Sequence, residues 1–457
     1  MANTYRYYDV CEVHMACPGI TWGVAAGTIR GPPSGDCEAG HGGAIFGSRG
    51  LSENWFSLGK VNAQMGNVPV IVDAIRTPMG RGKAGGVLSG LHPTDLLADV
   101  LKQLVARNGI DPGRVDDVII GCVSQVGEQS GLPGRIAWLA AGLPEHVPST
   151  TVDRRCGSSQ QSVHFAAHGI AAGAYDIVIA GGVESMSRVP MFSSRIGQDP
   201  TGPKLYERYE GGLIPQGIAA ERIAAKWGIS REQMDVFSAA SHQKAAATRD
   251  NGGFANEIVP ITVGNGQVSS DETIRPTTTA EGLATLKLAF ENADYKAQFP
   301  EIDWSVTAGN SSQLTDGASA LLLMSEDTAN ALGLRPRARF VAFDVIGDDP
   351  IMMLTAPIPA TRRILEKSGL KIGDIDHFEV NEAFASVPLA WLKEFDADPA
   401  RLNPRGGAIA LGHPLGASGG RLMATMLNSL ERTGGRYGLQ VMCEAGGLAN
   451  ATIIERL

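Results

Sequence analysis

The chain has 457 residues, with 39 basic and 48 acidic side chains and a formal charge of −9. Hydrophobic residues make up 43% and charged residues 19%, ordinary values for a folded chain with a large core, which exclude a mainly disordered protein. The acidic balance argues against binding to nucleic acid or to an anionic membrane surface. No apolar run reaches the ~18 residues of a membrane-spanning helix, so no membrane span is expected.

Residues 1–64 differ from the rest of the chain, because they are rich in Gly, Pro and Ser and show no helix or strand period. We expect an irregular leader, either disordered or the product of a start codon upstream of Met65. A zinc site is the alternative, because residues of zinc-ligating type occur at short spacing: Cys11, His14, Cys17, Cys37 and His41. No strand or helix pattern supports these ligands, so chance spacing is the simpler interpretation. With only six cysteines in the whole chain, free thiols in a reducing cytoplasm are expected.

From residue 66, strands alternate with amphipathic helices, a pattern typical of an α/β fold with a mostly parallel sheet. After a first strand at 68–72, a helix at 93–107 precedes a strand at 118–120. The same sequence of elements returns much later, where a helix at 359–367 precedes a strand at 378–380.

The two helix-strand units match residue by residue. Five pairs share one spacing: Gly109 with Gly369, Gly113 with Gly373, Val115 with Ile375, Asp116 with Asp376, and Ile120 with Val380. A second match is less regular, because each unit continues into a Gly/Ser-rich turn, a helix, an apolar strand and a Gly-Gly turn. Chance similarity of generic units is the alternative, but the constant register favours one α/β unit used twice and packed face to face.

This repeat predicts how the chain after the leader is divided. We expect an N-terminal half at 66–187 plus 310–338, an inserted loop domain at 188–309, and a C-terminal half at 339–457. The insert carries two amphipathic helices, near 218–226 and 231–248. Insertions of this kind on an α/β core commonly form lids or substrate-binding subdomains.

Cys156 lies where an extended segment turns into a helix that opens with Gly157-Ser158-Ser159. The positive end of the helix dipole and free backbone N–H groups are expected to lower the pKa of a thiol in this position. We interpret Cys156 as a nucleophile, with a buried structural cysteine as the alternative.

His413 follows one glycine cluster and precedes another, and the adjacent Pro414 keeps it out of a helix interior. An imidazole at the start of the next helix suits a general base, and a hydrogen-bonded core histidine is the alternative. Cys443 directly follows a predicted strand at 439–442 and suits proton transfer, unless it is a small buried hydrophobe. Asn381 ends another strand, where it could hold a water or a carbonyl oxygen, or cap the next helix.

In combination these residues resemble the thiolase family of acetyl-CoA acetyltransferases and 3-ketoacyl-CoA thiolases. Five separated motifs agree in order: CGSS at 156–159, GGVESMS at 181–187, GNSSQLTDGA at 309–318, NEAF at 381–384 and GHPLG at 412–416. The resemblance covers the chain after the leader. It implies a duplicated five-layer αβαβα fold with an inserted loop domain, which agrees with the repeat found above.

The resemblance also implies a role for each site residue. Cys156 would attack the 3-keto carbon of a 3-ketoacyl-CoA after His413 takes its proton, and the acyl group would remain as a Cys156 thioester. Cys443 would protonate the departing acetyl-CoA enolate and deprotonate incoming CoA. His413 with a water on Asn381 would stabilise one oxyanion, and the backbone N–H groups of Cys156 and Ala445 would stabilise the other.

By the same resemblance, Ser312 and Met353 would contact substrate, CoA and acyl-CoA would be substrates rather than bound cofactors, and no metal would be needed. A homodimer or homotetramer is implied. Two departures from the family pattern matter: Ala445 replaces a glycine in the turn after Cys443, and large residues replace glycines around Met353. Together with the segment 121–129, this altered region around Met353 resembles degradative bacterial thiolases that act on bulky or steroid-derived acyl-CoA esters.

Three alternatives remain. Biosynthetic condensation of two acetyl-CoA would use the same groups as thiolysis. A non-catalytic lipid-binding relative would have lost one of Cys156, His413 or Cys443, and all three are present. A decarboxylating ketosynthase of the same fold would carry a histidine at Asn381 and would lack Cys443.

Overall fold

The computed structural model describes residues 67–209 and 212–457. The predicted leader at 1–64 and its alternative zinc site lie outside these described residues. None of the helices within the two described ranges is long and apolar enough to cross a membrane.

The first half of the fold is built from strands and helices that alternate along the chain. Helix α1 begins at Pro93, where the His92 side chain accepts a hydrogen bond from the Thr94 N–H, and ends at Gly109, whose φ of 60° suits glycine. The elements are β1 (Pro69–Arg76), β2 (Gly80–Arg81), α1 (Pro93–Asn108), β3 (Asp117–Gly121), α2 (Pro133–Ala140), β4 (Ser149–Val152), α3 (Ser158–Ala171) and β5 (Ile177–Ser185).

An insertion follows β5 before the chain returns to the sheet. It contains α4 (Pro203–Arg208), α5 (Gln216–Lys226), α6 (Arg231–Asp250), β6 (Ile261–Val263), β7 (Gly266–Val268), α7 (Ala280–Ala284) and α8 (Ala293–Gln298). The two predicted amphipathic helices are therefore confirmed as α5 and α6. A buried ion-pair cluster joins the insertion to β1, since the Arg76 guanidinium bonds Glu257 and Asp271, each at 2.7 Å. The chain then forms β8 (Thr315–Ser325) and α9 (Glu326–Ala331).

The second half repeats the first. Its elements are β9 (Ala338–Gly347), α10 (Pro357–Ser368), β10 (His377–Val380), α11 (Ser386–Phe395), α12 (Ala408–Leu411), α13 (Ser418–Thr433), β11 (Tyr437–Glu444) and β12 (Leu448–Arg456). Helix α10 ends at Gly369 with a φ of 70°, as α1 ends at Gly109. Asp376 accepts from the N–H groups that begin β11, as Asp116 does at the start of β5.

The second match between the halves is as regular as the first, contrary to the prediction. Helices α3 and α13 begin 260 residues apart, as do β5 and β11, and the five predicted pairs have the same spacing. The offset of 260 residues therefore relates 109–121 to 369–381 and 158–185 to 418–445, whereas α2 and α11, which lie between these stretches, begin 253 residues apart.

The layers follow from how side chains alternate across each strand. Helices α1 and α2 pack on one face of the first-half strands, while α3 and α13 pack together on the opposite face. Helices α10 and α11 cover the outer face of the second-half strands. The resulting order of helix, sheet, helix, sheet and helix confirms the predicted five-layer fold, with the α3 and α13 layer at its centre.

The prediction of a mostly parallel sheet is wrong. Strand order is β10-β11-β12-β9-β1-β8-β5-β3-β4, and only three of these pairs are parallel: β10 with β11, β3 with β4, and β3 with β5. The predicted Gly181-Gly182 turn is also wrong, because both glycines lie inside β5. A Cβ on Gly182 would lie 1.9 Å from the Gly416 carbonyl oxygen, so these glycines allow backbones to approach closely.

Candidate active site

A strained turn presents Cys156 at the start of α3. Arg155, just before it, has a φ of 49°, a left-handed conformation that is costly for a residue with a Cβ. Ser158 holds this turn, because its hydroxyl donates to the Arg155 carbonyl at 2.6 Å and accepts from the Arg154 N–H at 2.9 Å. The Cys156 side chain is 6% exposed.

The pKa of the Cys156 thiol lies well above its ordinary value, contrary to the sequence-based expectation. Burial is the largest cause, and the nearby Cys443 and Glu444 add to it. The backbone N–H groups of Cys156 and Ala445 lower the pKa, as predicted for this turn, but they do not outweigh burial. Cys156 is therefore protonated at rest and needs a base. The same effects show that Cys443 and Ala445, almost 290 residues further along the chain, lie beside it.

His413 is buried on the loop between α12 and α13. Gly412 precedes it with a φ of 87°, and a Cβ there would lie 2.3 Å from Thr315 Oγ1. The same hydroxyl oxygen accepts from the His413 backbone N–H at 2.9 Å, which fixes the loop. Burial and the positive charge of Arg421 lower the pKa of His413 to about 3. The imidazole is consequently neutral near pH 7 and able to accept a proton.

Ser418 sets the tautomer of this imidazole. Its Oγ lies 2.6 Å from His413 Nδ1 and donates to the Pro414 carbonyl at 2.9 Å. The tautomer that satisfies both contacts has the hydroxyl donating to Pro414 and accepting from a protonated Nδ1, which leaves Nε2 as the free base. Sequence reasoning missed this role; the available signal was a serine opening the helix five residues after His413.

Asn381 connects His413 to Cys443. Its Nδ2 lies 3.5 Å from His413 Nε2, and its side chain lowers the pKa of Cys443, as does the Ala383 N–H. Burial is the larger effect and raises the pKa of Cys443 to about 12. Asn381 does not cap a helix, because α11 begins at Ser386, and its buried Oδ1 has no partner among the described residues. That oxygen is free to hold a water or a substrate group.

Cys443 lies within β11 rather than after it. The turn that follows accommodates Ala445 because the left-handed conformations fall on Gly446 and Gly447, with φ of 95° and 76°. Ala445 itself is not among the described residues with positive φ. Its N–H can therefore face Cys156 although it carries a Cβ.

The two predicted substrate-contact residues lie on either side of this centre. Met353 is buried in the apolar cluster that contains Cys443 and has a φ of 50°. Ser312 is half-buried and donates its N–H to the Ala383 carbonyl at 2.9 Å, next to the Asn381 segment. Within 67–209 and 212–457, no three His, Cys, Asp or Glu side chains are grouped as metal ligands.

The site therefore combines two buried thiols, a neutral imidazole and converging amide donors. The imidazole can accept a thiol proton, one thiol can hold an acyl group, and the other can transfer protons. The N–H groups of Cys156 and Ala445 can stabilise an oxyanion on a group bound to the Cys156 sulfur.

Comparison with known proteins identifies the class. The model of the thiolase N-terminal domain matches residues 69–327, and that of the thiolase C-terminal domain matches residues 334–456. The chain belongs to the thiolase family, whose members are acyltransferases.

This chain matches nearly the whole length of individual relatives. The chain is 49% identical over 395 residues to the steroid 3-ketoacyl-CoA thiolase FadA6 of Mycobacterium tuberculosis, covering 85% of this chain and 94% of the relative. It is 46% identical over 397 residues to a 3-ketoacyl-CoA thiolase of Aliivibrio salmonicida, covering 85% and 99%. The crystal structure of the Bacillus anthracis acetyl-CoA acetyltransferase matches with a TM-score of 0.76 and 37% identity, covering 86% of this chain and 99% of that one.

Proposed function

We propose that this chain catalyses CoA-dependent thiolytic cleavage of a 3-ketoacyl-CoA, giving acetyl-CoA and an acyl-CoA shortened by two carbons. The observation that carries this proposal is the pairing of the buried thiols. Ala445, two residues after Cys443, directs its N–H to the Cys156 sulfur, while Asn381 links Cys443 to His413. The names of the FadA6 and Aliivibrio relatives support the same reaction.

In the first half-reaction, His413 Nε2 takes the Cys156 proton, and the thiolate attacks the 3-keto carbon of the substrate. The carbon–carbon bond then breaks, leaving an acyl-Cys156 thioester and the enolate of acetyl-CoA. Cys443 protonates this enolate and becomes a thiolate. A water held on Asn381 Oδ1 and the protonated His413 can both donate hydrogen bonds to the enolate oxygen, which gains negative charge in this step.

In the second half-reaction, the Cys443 thiolate removes the proton from CoA. The CoA thiolate attacks the acyl-Cys156 thioester, and Cys156 leaves as a thiolate and recovers its proton from His413. The oxyanion formed in this step lies on the acyl carbon beside Cys156 Sγ, where the N–H groups of Cys156 and Ala445 converge. One such donor is worth about 3–4 kcal/mol of transition-state stabilisation.

A preference for bulky acyl groups is part of this proposal. Met352, Met353 and Leu354 are all buried in the apolar cluster that contains Cys443, so they shape the space next to the thiols. The relationship to a steroid 3-ketoacyl-CoA thiolase supports ring-derived acyl groups. The similarity to an acetyl-CoA acetyltransferase supports the reverse condensation of two acetyl-CoA as the second candidate, since the same groups serve both directions.

A homodimer or homotetramer is part of this proposal. Strand β4 lies at one edge of the sheet and is incompletely buried, and the preceding helix α2 exposes Ile136 and Leu139. An exposed edge strand beside apolar side chains is suited to pairing with a second copy. The expected cytoplasmic location stays a prediction.

A thiolysis assay tests the proposal. The enzyme is given CoA and short, long and ring-containing 3-ketoacyl-CoA esters, and loss of the substrate enolate absorbance is followed. We expect turnover, with preference for bulky esters. Cys156→Ala should abolish turnover and capture of a radiolabelled acyl group, because the N–H groups of Cys156 and Ala445 converge on the Cys156 sulfur. Acyl capture by this variant would refute the assignment.

A further inference from the structure

Glu444 is a buried carboxyl group beside both thiols, and the reaction described above does not use it. It follows Cys443 directly in β11 and is 0% exposed. Neither of its carboxyl oxygens has a hydrogen-bond partner among the described residues. A Cβ on Gly157, in the Cys156 turn, would lie 1.8 Å from Glu444 Oε1, so the carboxyl occupies the space that this glycine leaves free.

The repeat supplies an internal comparison, because Glu184 occupies the same position in the first half, 260 residues earlier. It is also fully buried, yet it accepts four hydrogen bonds of 2.9–3.0 Å, from the N–H groups of Val123, Ser124 and Gly416 and from Gln129 Nε2. In the second half the donor set is different. The N–H of Ala383, equivalent to that of Val123, serves the Cys443 sulfur instead. Glu444 therefore occupies the same position in the repeat as Glu184, but its oxygens have none of the hydrogen bonds that Glu184 accepts.

Two donors of the described residues approach Glu444, the Asn450 N–H and the Arg154 guanidinium, but neither reaches hydrogen-bond geometry with its carboxyl oxygens. Asn450 of β12 is paired with Met442, two residues from Glu444 on the same face of the sheet, and its buried Oδ1 also has no partner. An ionised carboxylate only accepts hydrogen bonds, so it would leave all of these oxygens unsatisfied, whereas a protonated carboxyl brings one donor. Burial raises the pKa of Glu444 well above its ordinary value, although the Arg154 charge and the Asn450 N–H oppose this.

We propose that Glu444 is a positioning residue for acyl transfer: its neutral carboxyl fills the space beneath Gly157, and a negative charge on it would oppose ionisation of the two neighbouring thiols. The inference rests on the proposed function, since it concerns the thiols assigned there. Transfer requires each thiol to become a thiolate in turn, and a third negative charge in the same buried space opposes both. The titratable and charged groups that face Glu444 are Cys443 on β11, Cys156 on its turn, and Arg154 and Asp153 before it.

The test compares Glu444→Gln with wild type in the rate at which iodoacetamide alkylates Cys156, read by mass spectrometry of the peptide that contains it. Rates are measured from about pH 6 to 11, which spans the ionisation of ordinary thiols. Glutamine has the shape of the neutral acid and cannot ionise. We expect the two rates to converge below neutral pH, and the variant to react at least about tenfold faster at alkaline pH, since a neighbouring buried charge shifts the pKa of a thiol by more than about one pKa unit.

Glu184→Gln is the matched control, because it removes a carboxyl group at the equivalent position whose charge acts on Cys122 rather than on Cys156 or Cys443. It should lower the melting temperature by weakening a four-donor cluster but leave the shape of the Cys156 pH dependence unchanged. Superimposable wild-type and Glu444→Gln profiles would overturn the inference, as would an alkylation rate at neutral pH that falls tenfold in the variant.

A second measurement reads the protonation of Glu444 directly. Infrared spectra of protein labelled with ¹³C-glutamate should show, near pH 7, a protonated-acid carbonyl band in the wild type that is missing from Glu444→Gln. The variant spectrum is needed because burial also raises the pKa of Glu184, Glu221 and Glu382. This difference band should vanish over the alkaline range in which alkylation of wild-type Cys156 falls behind that of the variant. An absent band at neutral pH contradicts the inference. The alkylation and infrared measurements do not depend on turnover. A wild type without thiolase activity would therefore refute the proposed function, while these two measurements would still test the role of Glu444.

Discussion

Replacing Ser418 by alanine tests how the imidazole is prepared to act as a base. The Ser418 hydroxyl oxygen lies 2.6 Å from His413 Nδ1, and both side chains are buried. Without the hydroxyl, the Nδ1–H loses its acceptor in a place that water does not readily reach, and the ring no longer prefers the tautomer that leaves Nε2 free. Leaving a buried donor unsatisfied costs about 1–3 kcal/mol. At about 1.4 kcal/mol for each factor of ten, the rate of Cys156 acylation should fall by about 5- to 150-fold.

The assay measures single-turnover acylation of Cys156 by a 3-ketoacyl-CoA without added CoA. The rate is read from the release of acetyl-CoA. Ser162→Ala is the matched control, because the Ser162 hydroxyl donates to the Ser158 carbonyl at 3.0 Å, one turn back in the same way as Ser418 to Pro414. Among the described residues, no histidine is a hydrogen-bond partner of Ser162. The control should acylate at the wild-type rate. If Ser418→Ala also acylates at that rate, the hydroxyl does not set the tautomer and the reasoning fails.

Two further predictions concern buried charge. Arg421→Met removes a positive charge that lowers the pKa of His413, so the acid limb of Cys156 alkylation should move to higher pH, and an unmoved limb would contradict this electrostatic coupling. Burial and the Arg275 charge lower the pKa of His242 from the ordinary 6.5 to about 4. The folded state therefore favours neutral His242, so its contribution to the free energy of unfolding is complete above pH 6.5 and is lost as pH falls toward 4. His242→Gln should therefore gain about 2 kcal/mol in unfolding free energy relative to wild type between about pH 7.5 and 5, measured by urea unfolding, and a constant difference would refute this.

Much of the fold could be predicted from local patterns in the sequence. Helices at 93–107 and 359–367 are predicted by short-range signals, namely apolar residues at helical spacing and a glycine at the C-terminal end. The structure has α1 and α10 at these places. The constant spacing of the repeat is also visible in the chain itself. The motif around Cys156 and the glycine clusters around His413 point to a turn and a loop, and both occur.

Sheet direction was not predictable in this way. A strand pattern such as that of β8 or β12 records burial on both faces but not which neighbour lies beside it. Both strands run antiparallel to their neighbours, because each returns beside a central strand of its own half. Gly181 and Gly182 suggested a turn for the same reason, since the backbone that approaches them belongs to segments far along the chain.

The amino-acid sequence alone indicated the repeated unit, most elements of each half and the candidate side chains of the site. Tertiary structure decided what state those side chains are in. The raised pKa of Cys156, the neutral imidazole of His413 and the unsatisfied carboxyl of Glu444 all depend on burial and on partners brought in from the other half. A local pattern cannot express this, because desolvation and hydrogen bonding are set by atoms that are close in space and hundreds of residues apart along the chain.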